Sequence, residues 1–302
     1  MSSPTSPSAS VSPGAGALVL AGGGSVGVAW ELGFLCGLER RSPEVMRTIR
    51  SRETTYIGTS AGSIVATMLA SGVPLVDLMQ PELDSPTVTD PSKRRRPGLG
   101  IARIASTMLL SRVGTKTPEQ ARRRIGAFAV KATTRPEDKW VASIARRLPT
   151  QSWPERRLLI TAVDVESGEF RVFDRACGVD LASAVAASCA VPGIFPPVSI
   201  DGKRYMDGGM RSIANADLAA GCDPVLILVP TREGGPGIGR VSKDELKSFT
   251  PGTSHLVYAD AESARAFGRN PLLNTTRAAS ARAGFQQGSQ VDQDIDELWA
   301  RA

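Results

Sequence analysis

Histidine is nearly absent from this sequence: His255 is the sole example among 302 residues. Its ordinary pKa lies near neutrality, and most hydrolytic and zinc chemistry depends on it. A single imidazole excludes two-histidine zinc motifs and any His-rich metal site, and it leaves at most one histidine for a catalytic relay. Cysteine is scarce too. Cys36, Cys177, Cys189 and Cys222 have neither zinc-ligand nor redox spacing, so no cysteine metal site or disulfide framework is indicated. No metal and no cofactor is expected. Charge is missing from the first part of the chain, where Glu31 is the first charged side chain. A secretory signal needs a basic segment followed by an apolar one, and neither is present. Apolar runs such as Ala17–Ala21 and Ile64–Val76 are too short, or are broken by Gly72 and Pro74, to span a bilayer. The sequence therefore predicts a cytoplasmic protein without a transmembrane helix.

What is present has the composition of a soluble globular protein, 41% hydrophobic and 22% charged, with length for one large or two ordinary domains. Residues 1–16, rich in Ser, Pro, Ala and Gly and without periodicity, read as a disordered tail. The net charge of +6 is unevenly spread. Residues 91–150 carry 15 Lys or Arg against 3 Asp or Glu, including Lys93-Arg94-Arg95-Arg96 and Arg122-Arg123-Arg124. Such a stretch is either a solvated helical insertion or an attractor of anionic membrane or nucleic acid. Only Phe128 and Trp140 lie in it, too few aromatics for stacking on bases, and no nucleic-acid-binding motif accompanies it. Nucleic acid is accordingly not expected as a partner. Peripheral contact of residues 91–150 with an anionic membrane is.

Short apolar runs alternate with helical patterns. Ala17–Ala21, Thr54–Ile57, Leu158–Val163 and Val225–Val229 read as buried strands. Helical patterns occupy 28–40, 63–70 and 181–190, and another begins at Leu256, beyond a glycine-rich loop at 234–239. Ser167-Gly168 and Asp201-Gly202 mark hairpin turns. Strands alternating with helices predict an α/β layered fold around a largely parallel sheet.

Two glycine motifs sit between a strand and a helix. In Gly58-Thr59-Ser60-Ala61-Gly62, small neighbours allow a crowded turn that pushes the Ser60 hydroxyl out at the carboxyl end of the sheet. The helix that follows favours developing negative charge at its start. The plainer reading is a glycine turn with a serine helix cap. Gly22-Gly23-Gly24-Ser25-Val26-Gly27 fits either a dinucleotide-binding loop or an oxyanion hole built from the N–H groups of Gly22, Gly23 and Gly24. The dinucleotide reading needs an acid about 20 residues on, at a strand end. Glu44 has the spacing but not that setting, and the next strand ends in the serine turn, so the oxyanion reading fits better. Candidate bases are His255 and the aspartates of Asp201-Gly202 and Asp207-Gly208-Gly209, of which one Asp-Gly is a plain turn.

This combination resembles the patatin-like phospholipase family, serine acyl hydrolases with a Ser–Asp dyad. The resemblance rests on Gly22 to Gly27, on Gly58 to Gly62 and on Asp207-Gly208-Gly209 in that order. It is supported by Thr161–Glu169, by Ala187-Ser188-Cys189-Ala190-Val191-Pro192-Gly193-Ile194-Phe195-Pro196-Pro197 and by Asn215. Val26 stands where the family often has Arg or Lys. The resemblance implies a three-layer sandwich and a catalytic domain over 17–230. A basic, mostly helical insertion is expected at about 85–150, and a loop and helical extension over 231–302. It implies Ser60 as nucleophile, Asp207 as proton acceptor and a lipid ester, phospholipid or acylglycerol, as substrate. Two alternatives stand beside it: an α/β-hydrolase triad of Ser60, Asp207 and His255, and a non-catalytic lipid- or nucleotide-binding module.

Overall fold

The uncharged start of the chain supplies the central strand. In the computed structural model, which describes residues 15–85, 113–233, 239–268, 270–272 and 274–300, Ala17–Leu20 forms β1. Leu18 and Leu20 enter one apolar cluster and Ala17 and Val19 another, all of them fully buried. A strand apolar on both sides belongs inside a sheet that is covered on both faces.

The other strands are β2 (Thr55–Gly58), β3 (Leu158–Asp164), β4 (Phe170–Phe173), β5 (Val198–Ile200), β6 (Lys203–Asp207), β7 (Val225–Arg232) and β8 (Ser254–Ala259). They form one sheet in the order β5-β6-β3-β2-β1-β7-β8, with β4 also paired to β3. The five strands from β3 to β8 along this order are parallel. β4, β5 and β6 join antiparallel. The described helices are α1 (Gly24–Arg41), α2 (Pro43–Ile49), α3 (Ala61–Ala70), α4 (Leu75–Leu83), α5 (Pro118–Lys131), α6 (Glu137–Ala145), α7 (Leu181–Ser188), α8 (Lys243–Leu246), α9 (Ala261–Phe267), α10 (Arg277–Gln290) and α11 (Asp294–Trp299).

One face of the sheet packs against α1, α3, α4 and α7 through a large cluster that includes Leu18, Leu226 and Leu228. On the other face, Val19, Ile57, Leu159 and Ile227 lie under Ala216 and Ala219 of a short 3-10 turn and under Val241 and Phe249, which flank α8. Further along that face, Ile125 of α5 covers Val163 and Met206. Mostly parallel strands between two covering layers are the three-layer α/β architecture the sequence predicts.

Residues beyond 230 belong to the same core. α10 lies against α1 with their backbones in contact: a Cβ on Gly284 would sit 2.3 Å from the Trp30 carbonyl oxygen, and one on Gly288 2.0 Å from that of Phe34. Gly33 and Gly37 of α1 face α10 just as closely. Only a glycine hydrogen fits such a crossing. The Trp30 indole then donates to Ser263 Oγ at 3.0 Å and to Gln287 Oε1 at 3.2 Å.

Two local expectations are corrected. The helical pattern expected from Leu256 onward begins only at Ala261, in α9, α10 and α11; residues 256–259 are the end of strand β8. They are apolar on alternating sides, Val257 and Ala259 towards one cluster and Leu256 and Tyr258 towards the other, which leaves no distinctive stripe in the sequence. The tail expected over 1–16 ends sooner: the Ala15 and Gly16 carbonyls accept from the N–H groups of Asp223 and Thr55, and residues 1–14 lie outside the described residues. Lys93 to Arg96 lie outside them as well. Among the described residues no helix is long and apolar enough to cross a membrane.

Candidate active site

The sheet register brings two strand ends together. β3 carries β4 on one edge, with Ile160 opposite Phe173 and Ala162 opposite Arg171. On its other edge Ile160 opposes Gly58 of β2, and two residues later Ala162 opposes Asp207 of β6. β2 is parallel to β3 and β6 antiparallel, so their final residues meet head to head across Thr161. Ser60 follows β2 by two residues, and Asp207 is the last residue of β6.

Ser60 occupies a strained turn, with φ 53° and ψ −120°. Such a conformation persists only where its surroundings hold it. Its N–H donates to Ser188 Oγ at 2.9 Å, and its carbonyl accepts from Ser63 Oγ at 2.6 Å and Cys189 Sγ at 3.1 Å. The flanking glycines are required by space: a Cβ on Gly58 would lie 2.4 Å from Ser63 Cα, and one on Gly62 2.0 Å from the Leu20 carbonyl oxygen. Ser60 stands at the helix-cap position of α3, but its side chain makes no cap bond, so the plain helix-cap reading does not hold. The hydroxyl instead lies beside the Asp207 carboxylate, whose ionised form it favours.

Asp207 is 2% exposed. Its Oδ1 accepts from the Gly209 N–H at 2.7 Å. Burial pushes its carboxyl up to about 7, against the opposing pull of the hydrogen bonds from Ser60 and Gly209. Gly208 lies against Thr161, with no room for a side chain. Asp201 is the plain turn: it is exposed, and Asp201 and Gly202 both have positive φ between the paired Ile200 and Lys203.

The glycine loop lies beside the serine, where a Cβ on Gly22 would come 3.3 Å from Ser60 Cβ. Gly22 itself is corrected as an oxyanion donor, because its N–H already donates to the Ile213 carbonyl at 2.8 Å. The N–H groups of Gly23 and Gly24 have no acceptor among the described residues, and neither does that of Ala61, the first residue of α3. Gly27 belongs to the first turn of α1, where its N–H donates to the Gly23 carbonyl at 3.1 Å. Val26 is fully buried and brings no charge. Glu44 is exposed on α2, away from any strand end, which removes the dinucleotide reading.

His255 is far from this site. On β8 it opposes Leu226, which opposes Leu18, which opposes Tyr56. Three strand spacings separate it from β2, about 14 Å, and it lies level with Tyr56, four residues before Ser60. The Ser60–Asp207–His255 triad is therefore excluded by geometry.

A polar network around Asn215, which the sequence reading named without assigning its contacts, links the two strand ends. Asn215, fully buried and left-handed at φ 51°, donates from Nδ2 to the Ser212 carbonyl at 2.9 Å and Thr59 Oγ1 at 3.0 Å, and the same amide lies 3.3 Å from Thr161 Oγ1 and 3.4 Å from the Gly208 carbonyl. It thus touches the residue before Ser60, the strand between, and the residue after Asp207. Its Oδ1 accepts from Arg211 at 2.8 Å, and Arg211 is itself forked onto Asp217. Ser188 and Cys189 lie in the Ala187–Pro197 stretch without any sequence cue to their contacts with Ser60. Burial raises the Cys189 thiol to about 12, which leaves it a neutral donor.

The sequence model of a family described as patatin-like phospholipase matches residues 18–220. Among solved structures, the chain is similar to VipD from Legionella pneumophila, with a TM-score of 0.47, 15% identity, and coverage of 95% of this chain and 68% of that one. It is also similar to the type III effector protein ExoU, with a TM-score of 0.41, 20% identity, and coverage of 96% of this chain and 54% of that one. A third match is the ExoU–SpcU complex of Pseudomonas aeruginosa, with a TM-score of 0.37, 18% identity, and coverage of 97% of this chain and 58% of that one. The chain therefore spans little more than half the length of ExoU. No curated protein matches the sequence.

Proposed function

The chain belongs to the patatin-like phospholipase family, and from that membership we propose that it cleaves fatty acyl esters of phospholipids or acylglycerols through a Ser60–Asp207 dyad. The observation that carries this reading is a serine on a strained strand-to-helix turn beside a buried carboxylate whose ionised form it favours. An ordinary aspartate is a weak base. A carboxyl raised to about 7 takes a proton far more readily near neutral pH.

Asp207 accepts the Ser60 proton as Oγ attacks the ester carbonyl. The negative charge that develops on the carbonyl oxygen is met by the N–H groups of Gly23, Gly24 and Ala61 and by the amino end of α3. Collapse of this intermediate breaks the ester bond, and Asp207 returns the proton to the departing alcohol. Water then attacks the acyl-enzyme, Asp207 takes up its proton, and the fatty acid leaves as Ser60 is reprotonated. No step uses an imidazole.

The test is fluorophosphonate labelling together with an ester panel of different chain lengths and phospholipids. Wild type should be labelled at Ser60. Ser60→Ala and Asp207→Asn should lose acyl-ester cleavage, and His255→Ala should retain it. Folded wild-type protein that resists labelling would instead favour a lipid-binding module without catalysis.

A further inference from the structure

Part of the basic segment forms a groove that the dyad does not use. It runs along α5 beside the turn after β3. Arg123, Arg124 and Lys131 of the helix and Arg204 of β6 line it, together with the exposed Ala127 and Val130 and the buried Val165. It encloses about 600 Å³, within the size range of small-ligand sites.

The three-arginine run is divided by its contacts. Arg122 turns inward: its Nε donates to the Gly168 carbonyl at 2.6 Å and its Nη2 to Glu119 at 2.8 Å. This pins α5 to the β3–β4 turn. Arg123 donates to the Glu166 carbonyl at 3.0 Å and Arg124 to the Val113 carbonyl, and both acceptors are neutral. The carboxylate of Glu166, the one acid lining the groove, pairs with Arg204 at 3.0 Å. Arg123, Arg124 and Lys131 therefore leave a net charge of three that no acid of the groove offsets. Val113, next to the Arg124 contact, is 65% exposed, and Val130 is 37% exposed.

The groove lies beyond the carboxyl end of β2, on the sheet face that α5 covers, and the Asp207 side chain is on the opposite face with Ala162. β3 runs on past the end of β2, and the N–H of the following Val165 donates to the Arg204 carbonyl at 2.9 Å. Asp207 is three residues beyond Arg204 on β6, about 10 Å at strand spacing.

We propose that this groove seats the anionic headgroups of a phospholipid bilayer and docks the protein on the membrane. Cations meet the lipid phosphates, while the exposed valines enter the interface. Among the described residues no aromatic side chain lines the groove, so it lacks the stacking platform a nucleic acid strand would need. The proposal names a partner and not a reaction, so it is tested on Ser60→Ala protein, where failure of the hydrolase reading cannot affect the outcome.

Sedimentation with phosphatidylcholine vesicles, with and without phosphatidylserine, measures the partitioning. Each cation near an anionic surface contributes about fivefold, so the triple variant Arg123→Gln, Arg124→Gln, Lys131→Gln should bind serine-lipid vesicles roughly a hundredfold more weakly. A control that removes the same charge elsewhere, at the exposed Arg47, Arg52 and Lys247, should bind as its parent does. Binding of the parent should require the anionic lipid and weaken with salt. The proposal is overturned if the groove variant partitions like its parent, if the control loses as much, or if neutral vesicles bind equally well. It is also overturned if the groove variant loses a single-stranded oligonucleotide but keeps the vesicles.

Discussion

Replacing Asp207 by Asn should stabilise this protein at alkaline pH while removing its activity. In the folded state burial holds the carboxyl protonated up to about pH 7, whereas an unfolded aspartate loses its proton near pH 4. Between these values the folded chain binds the extra proton. The stability this group contributes is therefore complete below about pH 4 and is lost as the pH rises through about 7. A gap of roughly three pH units, at about 1.4 kcal/mol each, amounts to about 4 kcal/mol as an upper bound. Asparagine has no charge to bury and avoids that loss. Urea unfolding of both proteins should show the variant gaining on wild type by up to about 4 kcal/mol between pH 4 and pH 8, because the remaining groups titrate alike in both. The same ionisation should govern catalysis: kcat/KM of wild type should rise with pH, with a midpoint near 7 and not near 4. A stability difference that stays flat from pH 4 to pH 8 would refute the raised carboxyl and, with it, the reason Asp207 can serve as base without a histidine.

Asn215→Gly keeps the left-handed backbone but removes the amide between Thr59, Thr161 and Gly208. Loosening the two strand ends should lower kcat and the fluorophosphonate labelling rate roughly 10- to 100-fold while KM changes little; an unchanged kcat in folded protein would remove its positioning role. Gly284→Ala puts a methyl group 2.3 Å from the Trp30 carbonyl oxygen. Separating α1 from α10 should cost about 1–3 kcal/mol, read as a lower thermal midpoint, and an unshifted midpoint would show that the crossing is not tightly packed.

The sequence by itself determined the class of fold and where to look for chemistry. Apolar runs closed by glycine turns specify buried strands feeding helices, and Gly58 is legible because its reason is local, a backbone turn closing on Ser63, whereas Gly62 is required by Leu20 of β1. The scarcity of histidine likewise directed attention to a carboxylate. What the local pattern could not contain was pairing between distant segments. Only the register on β3 brings the ends of β2 and β6 together, and only that register separates Asp207, buried and proton-holding, from the exposed Asp201 with the same Asp-Gly spelling. The Gly22 donor reading was wrong for the same reason, since its partner Ile213 is far away in the chain. The end of β8 was misread because a strand apolar on both faces has no period to distinguish it from a helix, and sheet pairing decides the matter. Burial of a charge, the distance of His255 and the clamp of Asn215 are properties of neighbours in space, so the tertiary structure alone decided them.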